Sequence, residues 1–479
     1  MALKKIAVSG MIWTFAQQFG TQVIGFFVSI VMARLLMPRE FGLIGMISVF
    51  IGIGNSLIKS GLTQSLIRTS HPDQEDYSTV FYFNLAGSVV VYLILFFTAP
   101  YIASFFSQPV LIPIVRIYCL SFIISAFSQV QLTRLTKEMN FKLQATITVP
   151  SLIGSGLLGM FLAYKGYGVW SLVWMSLFQA FLSTIQLWFR SGWAPSLVFS
   201  VAKFKYHFKF GYKLAFSGLL NTIFINIYQI IIGKFFVPAQ VGFYTRADSL
   251  KQLPVNNISS ALNKVTYPLF AEIKDDDIRL KKAYKQIMEM VVFVIAPVLI
   301  FMGVLADPLF RFLFTGKWLP AVPYFQILCL SGILYPIHSY NLNVLIVKGR
   351  SDLFLKLEII KKVLVLILIF ITIRYGIIGL LWGQIVGSVV AFYINTYYTG
   401  KFLSYNSWEQ TKDILPIIFL AFIAGGIVFA IDYQLKELQY KDIYRLLIGG
   451  SAGAIGYYIL SILFKINSLK ELKKIILRK

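Results

Sequence analysis

Long runs of apolar residues recur along the whole chain, separated by short segments that are richer in polar and charged positions. A run such as Val363 to Ile373 is continuously apolar, whereas a strand of a membrane barrel would alternate apolar and polar positions. The pattern therefore predicts α-helices, each with the roughly 20 residues needed to cross about 30 Å of hydrocarbon. We predict about fourteen spans, near residues 11–33, 41–67, 78–99, 110–133, 143–164, 168–189, 208–235, 240–268, 287–306, 321–347, 354–373, 377–399, 414–431 and 443–464.

The composition agrees with a chain that lies mostly in lipid. Of its 479 residues, 57% are hydrophobic and 13% are charged, and the mean hydropathy is +0.74. Soluble domains have about 45–50% apolar and about 25% charged residues, so a water-soluble fold would have more apolar surface than it could bury. We predict an all-α, polytopic membrane protein.

The charge balance predicts how the chain is oriented. A formal net charge of +24 would suggest nucleic acid as a partner of a soluble protein, but no basic segment has a foldable domain of its own, so we expect no nucleic acid partner. Basic residues are instead expected in cytoplasmic loops. With the N-terminus inside, the inside segments hold 29 Lys and Arg and the outside loops hold 10. Both termini are therefore predicted to be cytoplasmic.

Two internal matches predict a duplication. Residues 34–42 align without a gap to residues 234–242, sharing a base, a proline and a final glycine at an offset of 200. Residues 113–121 align to residues 323–331 at an offset of 210, sharing Pro, Ile, Cys, Leu and Ser. Two matches at nearly equal offsets, in the same order, are unexpected by chance.

The duplication predicts the domain organisation. We expect a six-helix bundle over residues 1–200, a second six-helix bundle over residues 201–400, and two additional helices with a basic tail over residues 401–479. Because six spans is an even number, the two bundles enter the membrane in the same direction and are related by an axis along the membrane normal. A cleft between the bundles is the expected functional site.

Particular segments resemble a known family. Met32 to Gly42, followed by Ser60 to Arg68, is similar to the opening of the polysaccharide transporter family, the Wzx-type flippases of the MATE-like superfamily. Val241 to Leu250, then Leu253-Pro254 and Thr266 to Phe270, is similar to the eighth helix of the same family. The resemblance implies two six-helix, MATE-like bundles around a central cavity that opens alternately to each side.

The resemblance also implies a function. It predicts a flippase that moves an oligosaccharide on undecaprenyl pyrophosphate, such as an O-antigen, capsule or exopolysaccharide repeat unit, from the cytoplasmic to the periplasmic leaflet of the bacterial inner membrane. The implied partners are this lipid-linked substrate, membrane lipids, and the polysaccharide polymerase and chain-length machinery. No cofactor is expected, and a proton or sodium gradient is left open as the energy source.

Bases and amides within predicted spans are the candidate binding residues. A Lys or Arg at mid-depth is costly and usually faces a cavity, and a cation suits the oxygens of a pyrophosphate. Arg246, Asn257 and Lys264 fall within about 20° of one another on the predicted eighth helix. Polar stripes also run along the first two helices, with helix packing and snorkelling to the interface as alternative explanations. The predicted substrate-binding residues are Lys59, Arg246, Lys264, Asn55, Gln18 and Asn257.

Other functions are less consistent with the chain. A cation-coupled drug exporter would need carboxylates within spans, and only Asp248 lies well inside one; it either pairs with a neighbouring base or couples an ion. A membrane glycosyltransferase or polymerase would need a larger extramembrane loop with catalytic residues. Walker A, HExxH and CxxC motifs are absent. We therefore predict no enzymatic activity, no catalytic residue and no metal site.

Overall fold

The computed structural model describes residues 2–59 and 61–477, with side chains for 13–58, 61–260 and 262–472, and these residues form helices and no strand. The chain folds into two compact units, residues 1–242 and 243–479. The helices of unit 1 are α1 (Ala2–Leu35), α2 (Pro38–Lys59), α3 (Leu62–Arg68), α4 (Gln74–Phe105), α5 (Leu111–Tyr118), α6 (Leu120–Lys137), α7 (Phe141–Tyr164), α8 (Val169–Arg190), α9 (Val201–Ile225) and α10 (Ile227–Phe235).

Helix α11 (Pro238–Glu272) begins in unit 1 and continues in unit 2. The remaining helices of unit 2 are α12 (Asp277–Val304), α13 (Ala306–Phe314), α14 (Val322–Gly332), α15 (Tyr335–Val347), α16 (Ser351–Thr372), α17 (Gly376–Leu403), α18 (Ser407–Glu437), α19 (Asp442–Leu463) and α20 (Asn467–Leu477). Short 3₁₀ turns, Gly316–Ala321 and Ile373–Tyr375, precede α14 and α17. The predicted domain boundaries at residues 200 and 400 stay predictions.

The described residues confirm a polytopic, all-helical membrane protein. They contain eleven segments long and apolar enough to cross a membrane, or twelve when the pair α9 and α10, bent by 49°, counts as one span. One of the eleven, Ser351–Leu403, is 53 residues long and contains both α16 and α17, which pack against each other. The more polar α11 is not among the eleven. The predicted count of fourteen therefore stays a prediction.

Helix α1 packs mainly against α7 in unit 1, and α7 packs against α8. Val28 and Met32 of α1, and Leu36 just after it, are buried with Ala163 of α7 and Leu172 of α8. At one crossing a Cβ on Gly156 of α7 would lie 2.6 Å from a methyl carbon of Val28. Small residues at a helix contact let the backbones approach closely, which is the usual way that membrane helices associate.

Helix α9 packs against α2, α3 and α4 of unit 1. Its Gly211 lies directly on Gly61, so that a Cβ on Gly211 would be 2.6 Å from the Gly61 carbonyl carbon. At the bend between α9 and α10, the Ser48 hydroxyl of α2 donates to the Gln229 side-chain oxygen at 2.5 Å and lies 3.3 Å from the side-chain oxygen of Asn226. A glycine contact at the start of α3 and partly buried polar contacts on α2 thus hold the bent helix pair in place.

The two matched segments, residues 34–42 and 234–242, each contain the first residue of a helix. Pro38 is the first residue of α2, and Pro238 is the first residue of α11, a position where proline is favoured because its missing N–H needs no partner. A Cβ on Gly42 would overlap the carbonyl oxygen of Pro238, and a Cβ on Gly242 would overlap that of Pro38. The two matched segments therefore meet in unit 1 through reciprocal glycine contacts. The predicted superposition of the two halves stays a prediction.

In unit 2, α18 packs against both α12 and α19. Gly425 of α18 and Gly453 of α19 allow close packing against Ile300 and Phe301 of α12 respectively. The buried Arg445 of α19 donates from two nitrogens to both carboxylate oxygens of Asp432 of α18, each at 2.9 Å. Because the charge of Arg445 is paired, it can stay buried near the end of the hairpin.

Candidate functional site

A polar pocket lies in unit 1 beside α1, and we call it the α1 pocket. It has a volume of about 450 Å³, within the range of about 300–1,000 Å³ that is usual for ligand sites. Of its eight lining residues, six are polar and none is charged. The lining residues are Thr14, Gln17, Gln18, Thr21 and Gly25 of α1, Thr148 and Leu152 of α7, and Gln179 of α8.

The periodicity of α1 explains why these polar residues share a pocket. Residues 14, 18, 21 and 25 recur every three or four positions and so lie on one face of the helix. The opposite face carries Phe15, Phe19 and Phe27, which are 58%, 71% and 62% exposed and suit contact with lipid. Gln18, a predicted site residue, therefore lines a pocket rather than the apolar face.

The pocket contains one internal hydrogen bond that involves a glutamine side chain. The Gln17 side-chain nitrogen donates to the Thr148 hydroxyl at 3.2 Å, which connects α1 to α7. The side chains of Gln18 and Gln179, by contrast, make no hydrogen bond to any residue that the structure describes. Two carboxamides, each with two donor hydrogens and an acceptor oxygen, are thus available at the pocket.

A second polar assembly in unit 1 joins three helices, and we call it the Asp76 cluster (Ser65, Asp73, Asp76, Lys203 and His207). Asp76 of α4 is 2% exposed and His207 of α9 is 0% exposed. The Asp76 carboxylate accepts from Lys203 Nζ at 2.8 Å and lies 3.0 Å from His207 Nε2. His207 Nδ1 lies 2.8 Å from the Ser65 hydroxyl of α3. The cluster ties the start of α9 to α3 and α4.

The outer part of the Asp76 cluster is a helix cap. Asp73 precedes α4 and accepts from the Asp76 backbone N–H at 2.8 Å, while the Asp76 side chain accepts from the Asp73 N–H at 3.0 Å. This capping box satisfies two backbone donors at the helix start. The hydrogen bond from the Asp76 N–H makes the largest contribution, and the bond from Lys203 the next, to lowering the pKa of Asp73 to about 2. Sequence reasoning missed this cluster, although an Asp with a second Asp three residues later is a recognisable capping signal.

Another predicted site residue, Asn55, lies on α2. It is half-buried, and its spacing of seven and three residues from Ser48 and Gly52 places it on the same helix face. Ser48 and Gly52 both contact the α9–α10 pair, so Asn55 lies on the face of α2 that is directed to that pair. The side chain of Lys59 lies outside the described residues.

In unit 2, Arg246 of α11 is 9% exposed. Its guanidinium carbon lies 5.2 Å from the ring centroid of Phe314 and 5.4 Å from that of Trp318. Trp318 is fully buried and comes from the 3₁₀ turn that follows α13. A flat guanidinium stacks on aromatic faces in a way that an ammonium group cannot. The two aromatic residues were not predicted from the sequence, because they lie about 70 positions away from Arg246.

Two charged residues of α11 form an ion pair. Lys251 Nζ lies 2.7 Å from an Asp248 carboxylate oxygen, and Lys251 is 6% exposed. Of the two explanations for Asp248, pairing with a neighbouring base is the one observed. Its role in ion coupling stays a prediction. Among the described residues, no group of three or more His, Cys, Asp and Glu side chains could hold a metal ion.

The other two predicted residues of α11 lie in a different environment from Arg246. Asn257 and Lys264 are both exposed in unit 2. The neighbouring Asn263 faces α15, where it donates to the Ser339 hydroxyl and accepts from Asn343, both at 3.0 Å. Lys264 follows Asn263 by one residue and so lies about 100° around the helix from it. The proposal that Arg246, Asn257 and Lys264 act on one substrate stays untested.

Comparison with known proteins identifies the family. A family profile described as "Polysaccharide biosynthesis protein" matches residues 31–323, which is more than half of the chain. The chain belongs to this family. The match confirms the resemblance seen in the sequence, and it includes α2, α9, α10 and all of α11.

Curated relatives of this family member align with it over most of its length. Teichuronic acid biosynthesis protein TuaB of Bacillus subtilis (strain 168) is 26% identical over 410 residues, which cover 84% of each chain. Succinoglycan biosynthesis transport protein ExoT of Rhizobium meliloti (strain 1021) is 26% identical over 68% of this chain and 67% of its own. Lipopolysaccharide biosynthesis protein WzxC of Escherichia coli (strain K12) is 23% identical over 82% of each.

Solved structures establish the fold of this family member. The lipid II flippase MurJ, in an inward closed conformation, matches with a TM-score of 0.73 at 15% identity, covering 95% of this chain and 98% of the other. An inward-facing multidrug resistance MATE family transporter of the MOP superfamily matches with a TM-score of 0.61 at 17% identity, covering 80% and 96%. The chain has the fold of these transporters, which confirms the predicted MATE-like class.

Proposed function

We propose that this protein is a flippase that moves lipid-linked oligosaccharide across the bacterial inner membrane during polysaccharide biosynthesis. The observation that carries the proposal is the combination of a membrane transporter fold with membership of a polysaccharide biosynthesis family. A relative described as a transport protein for succinoglycan biosynthesis supports it. On this proposal the chain is a transporter and not an enzyme.

The proposed substrate is an oligosaccharide on undecaprenyl pyrophosphate, moved from the cytoplasmic to the periplasmic leaflet by alternating access. MurJ, a lipid II flippase, has the same fold, which supports a lipid-linked saccharide as the cargo. The repeat unit belongs to an O-antigen, capsule or exopolysaccharide. The polymerase and chain-length machinery of the same glycan are the proposed protein partners.

We propose that Lys59, Arg246 and Lys264 attract the pyrophosphate, while Gln18, Asn55 and Asn257 contact the remainder of the substrate. Cations donate charge-assisted hydrogen bonds to phosphate oxygens. The position of Gln18 in a polar pocket supports its part of the proposal. The burial of Arg246 beside two aromatic rings is consistent with a charge held in place within the membrane region.

The proposed orientation has both termini in the cytoplasm. It rests on the excess of Lys and Arg in the inside segments. Reporter fusions after Arg68, near Lys205 and at the C-terminus should be active in the cytoplasm, and one near Arg39 should be active in the periplasm. The opposite pattern would overturn the orientation.

The function is tested by deleting the gene in its host. The deletion strain should lose the surface glycan and accumulate its lipid-linked oligosaccharide, with the sugar on the cytoplasmic side. Expression of the intact chain should restore export. Normal surface glycan in the deletion strain, in the absence of another transporter of the family, would contradict the proposal.

A cation-coupled drug exporter is the second candidate, because a multidrug MATE transporter also has this fold. Such an exporter needs an acidic residue that exchanges ions within the membrane, and Asp248 is already paired with Lys251. Export of cationic dyes from vesicles that contain the purified protein would favour this candidate over the flippase.

A further inference from the structure

The α1 pocket combines properties that point to one class of ligand chemistry. It is lined by residues of three candidate membrane spans of unit 1, Trp13–Leu35, Phe141–Tyr164 and Val169–Arg190, and within a membrane a carboxamide without a hydrogen-bond partner is unfavourable. Gln18 and Gln179 nevertheless leave their side chains unbonded to any residue that the structure describes. Gln17 is used in helix packing, because its side chain is hydrogen-bonded to Thr148 of α7. Helix packing does not explain why the other two glutamines are at the pocket.

The absence of charge in the lining excludes a phosphate as the favoured ligand. Phosphate oxygens are recognised by Arg and Lys, and the eight lining residues include neither. Amides and hydroxyls both donate and accept hydrogen bonds, and so do the hydroxyl groups of a sugar. The volume of about 450 Å³ leaves room for a small saccharide unit.

We propose that the α1 pocket binds the uncharged sugar hydroxyls of the lipid-linked oligosaccharide, with Gln18 and Gln179 as the direct contacts. This inference rests on the proposed flippase function and deepens it, because it separates recognition of the sugar from recognition of the pyrophosphate. The polar lining residues of α1, from Thr14 to Thr21, lie in the first half of the span Trp13–Leu35, which is the cytoplasmic half in the proposed orientation. The sugar would therefore be contacted on the side where the substrate is loaded.

The experiment compares two carrier lipids with the full-length protein in nanodiscs. One is the oligosaccharide-bearing undecaprenyl pyrophosphate extracted from the deletion strain, and the other is undecaprenyl pyrophosphate without sugar. The ratio of their dissociation constants measures selectivity for the sugar. The variants are Gln18→Leu, which alters an exposed side chain and leaves internal contacts intact, and the double variant Gln18→Leu/Gln179→Leu. Gln22→Leu, on the same helix but outside the pocket lining, is the matched control.

The wild type and Gln22→Leu should bind the sugar-bearing lipid more tightly than the sugar-free lipid. Two lost neutral hydrogen bonds should lower that selectivity roughly tenfold in the double variant, with Gln18→Leu intermediate and affinity for the sugar-free lipid unchanged. Wild-type selectivity in the double variant would overturn the inference, and so would an equal loss of affinity for both lipids. If the wild type binds both lipids equally, the inference alone fails. If it binds neither lipid, the flippase proposal fails with it.

Discussion

The Asp76 cluster provides a strong test of how unit 1 is held together. Asp76 is 2% exposed, and its carboxylate accepts from Lys203 and from the Asp73 backbone and lies beside His207. In Asp76→Asn the shape is kept, but the negative charge beside Lys203 is lost and one of the two acceptor oxygens becomes an NH₂ group. We therefore expect a loss of stability without a change in packing volume.

The expected loss follows from the environment of each partner. Removing one member of a buried ion pair costs about 3–5 kcal/mol. The Lys203 side chain is 32% exposed and can turn towards water, so we expect a value near the lower end, about 3 kcal/mol. If unit 1, residues 1–242, unfolds cooperatively, this corresponds to a fall in Tm of roughly 6–12 °C.

The assay is thermal unfolding of the detergent-solubilised protein, monitored by size-exclusion chromatography, for Asp76→Asn, Lys203→Met and the double variant. If Asp76 and Lys203 interact directly, the loss of unfolding free energy in the double variant should be smaller than the sum of the two single losses by about 1 kcal/mol or more. Asp352→Asn is the control, because the Asp352 side chain is 62% exposed in its pair with Arg350, and its Tm should not change measurably. Additive effects of the two substitutions, or an unchanged Tm for Asp76→Asn, would refute the reasoning.

Three further predictions use other contacts. Gly42→Ala should sharply lower the amount of protein in the membrane, because the new methyl group overlaps the Pro238 carbonyl. Gly87→Ala is the control and should be tolerated, because no atom lies within 4 Å of the added carbon. Equal amounts of the two variants on an immunoblot would contradict this prediction. The pKa of Asp73 is lowered from 3.8 to about 2, so its ionised form stabilises the fold above pH 4 and that contribution is lost as the pH falls towards 2. The Tm difference between wild type and Asp73→Asn should therefore close over this interval. Because asparagine is also a good N-cap, a constant difference would argue against stabilisation by the ionised carboxylate. Arg246→Ala should lower surface glycan per transporter molecule roughly tenfold or more. Arg246→Lys should restore export only in part, because an ammonium group cannot stack on the rings as a guanidinium does. Full export by the Ala variant at normal membrane levels would remove Arg246 from the proposed site.

The general class of this protein was predictable from the sequence because it depends on local properties. Burial in lipid selects long apolar runs, so the helical, polytopic class followed from hydropathy alone. The polar face of α1 was visible as a repeat of three and four residues, and the structure places Gln18 of that face in a pocket. Pro38 and Pro238 were recognised as a matched pair, and each begins a helix. The family resemblance was confirmed by the profile match.

The tertiary structure decided which polar groups meet across distant parts of the chain. Asp76 and His207 are 131 positions apart, and no local pattern connects them. Arg246 and Lys264 share a direction on the helical wheel, yet Arg246 is buried and Lys264 is exposed. Eighteen residues separate them by about 27 Å along a helix, so different neighbours surround each side chain. Helical periodicity determines the face on which a residue lies, but the packing of other helices on that face determines whether its charge is buried.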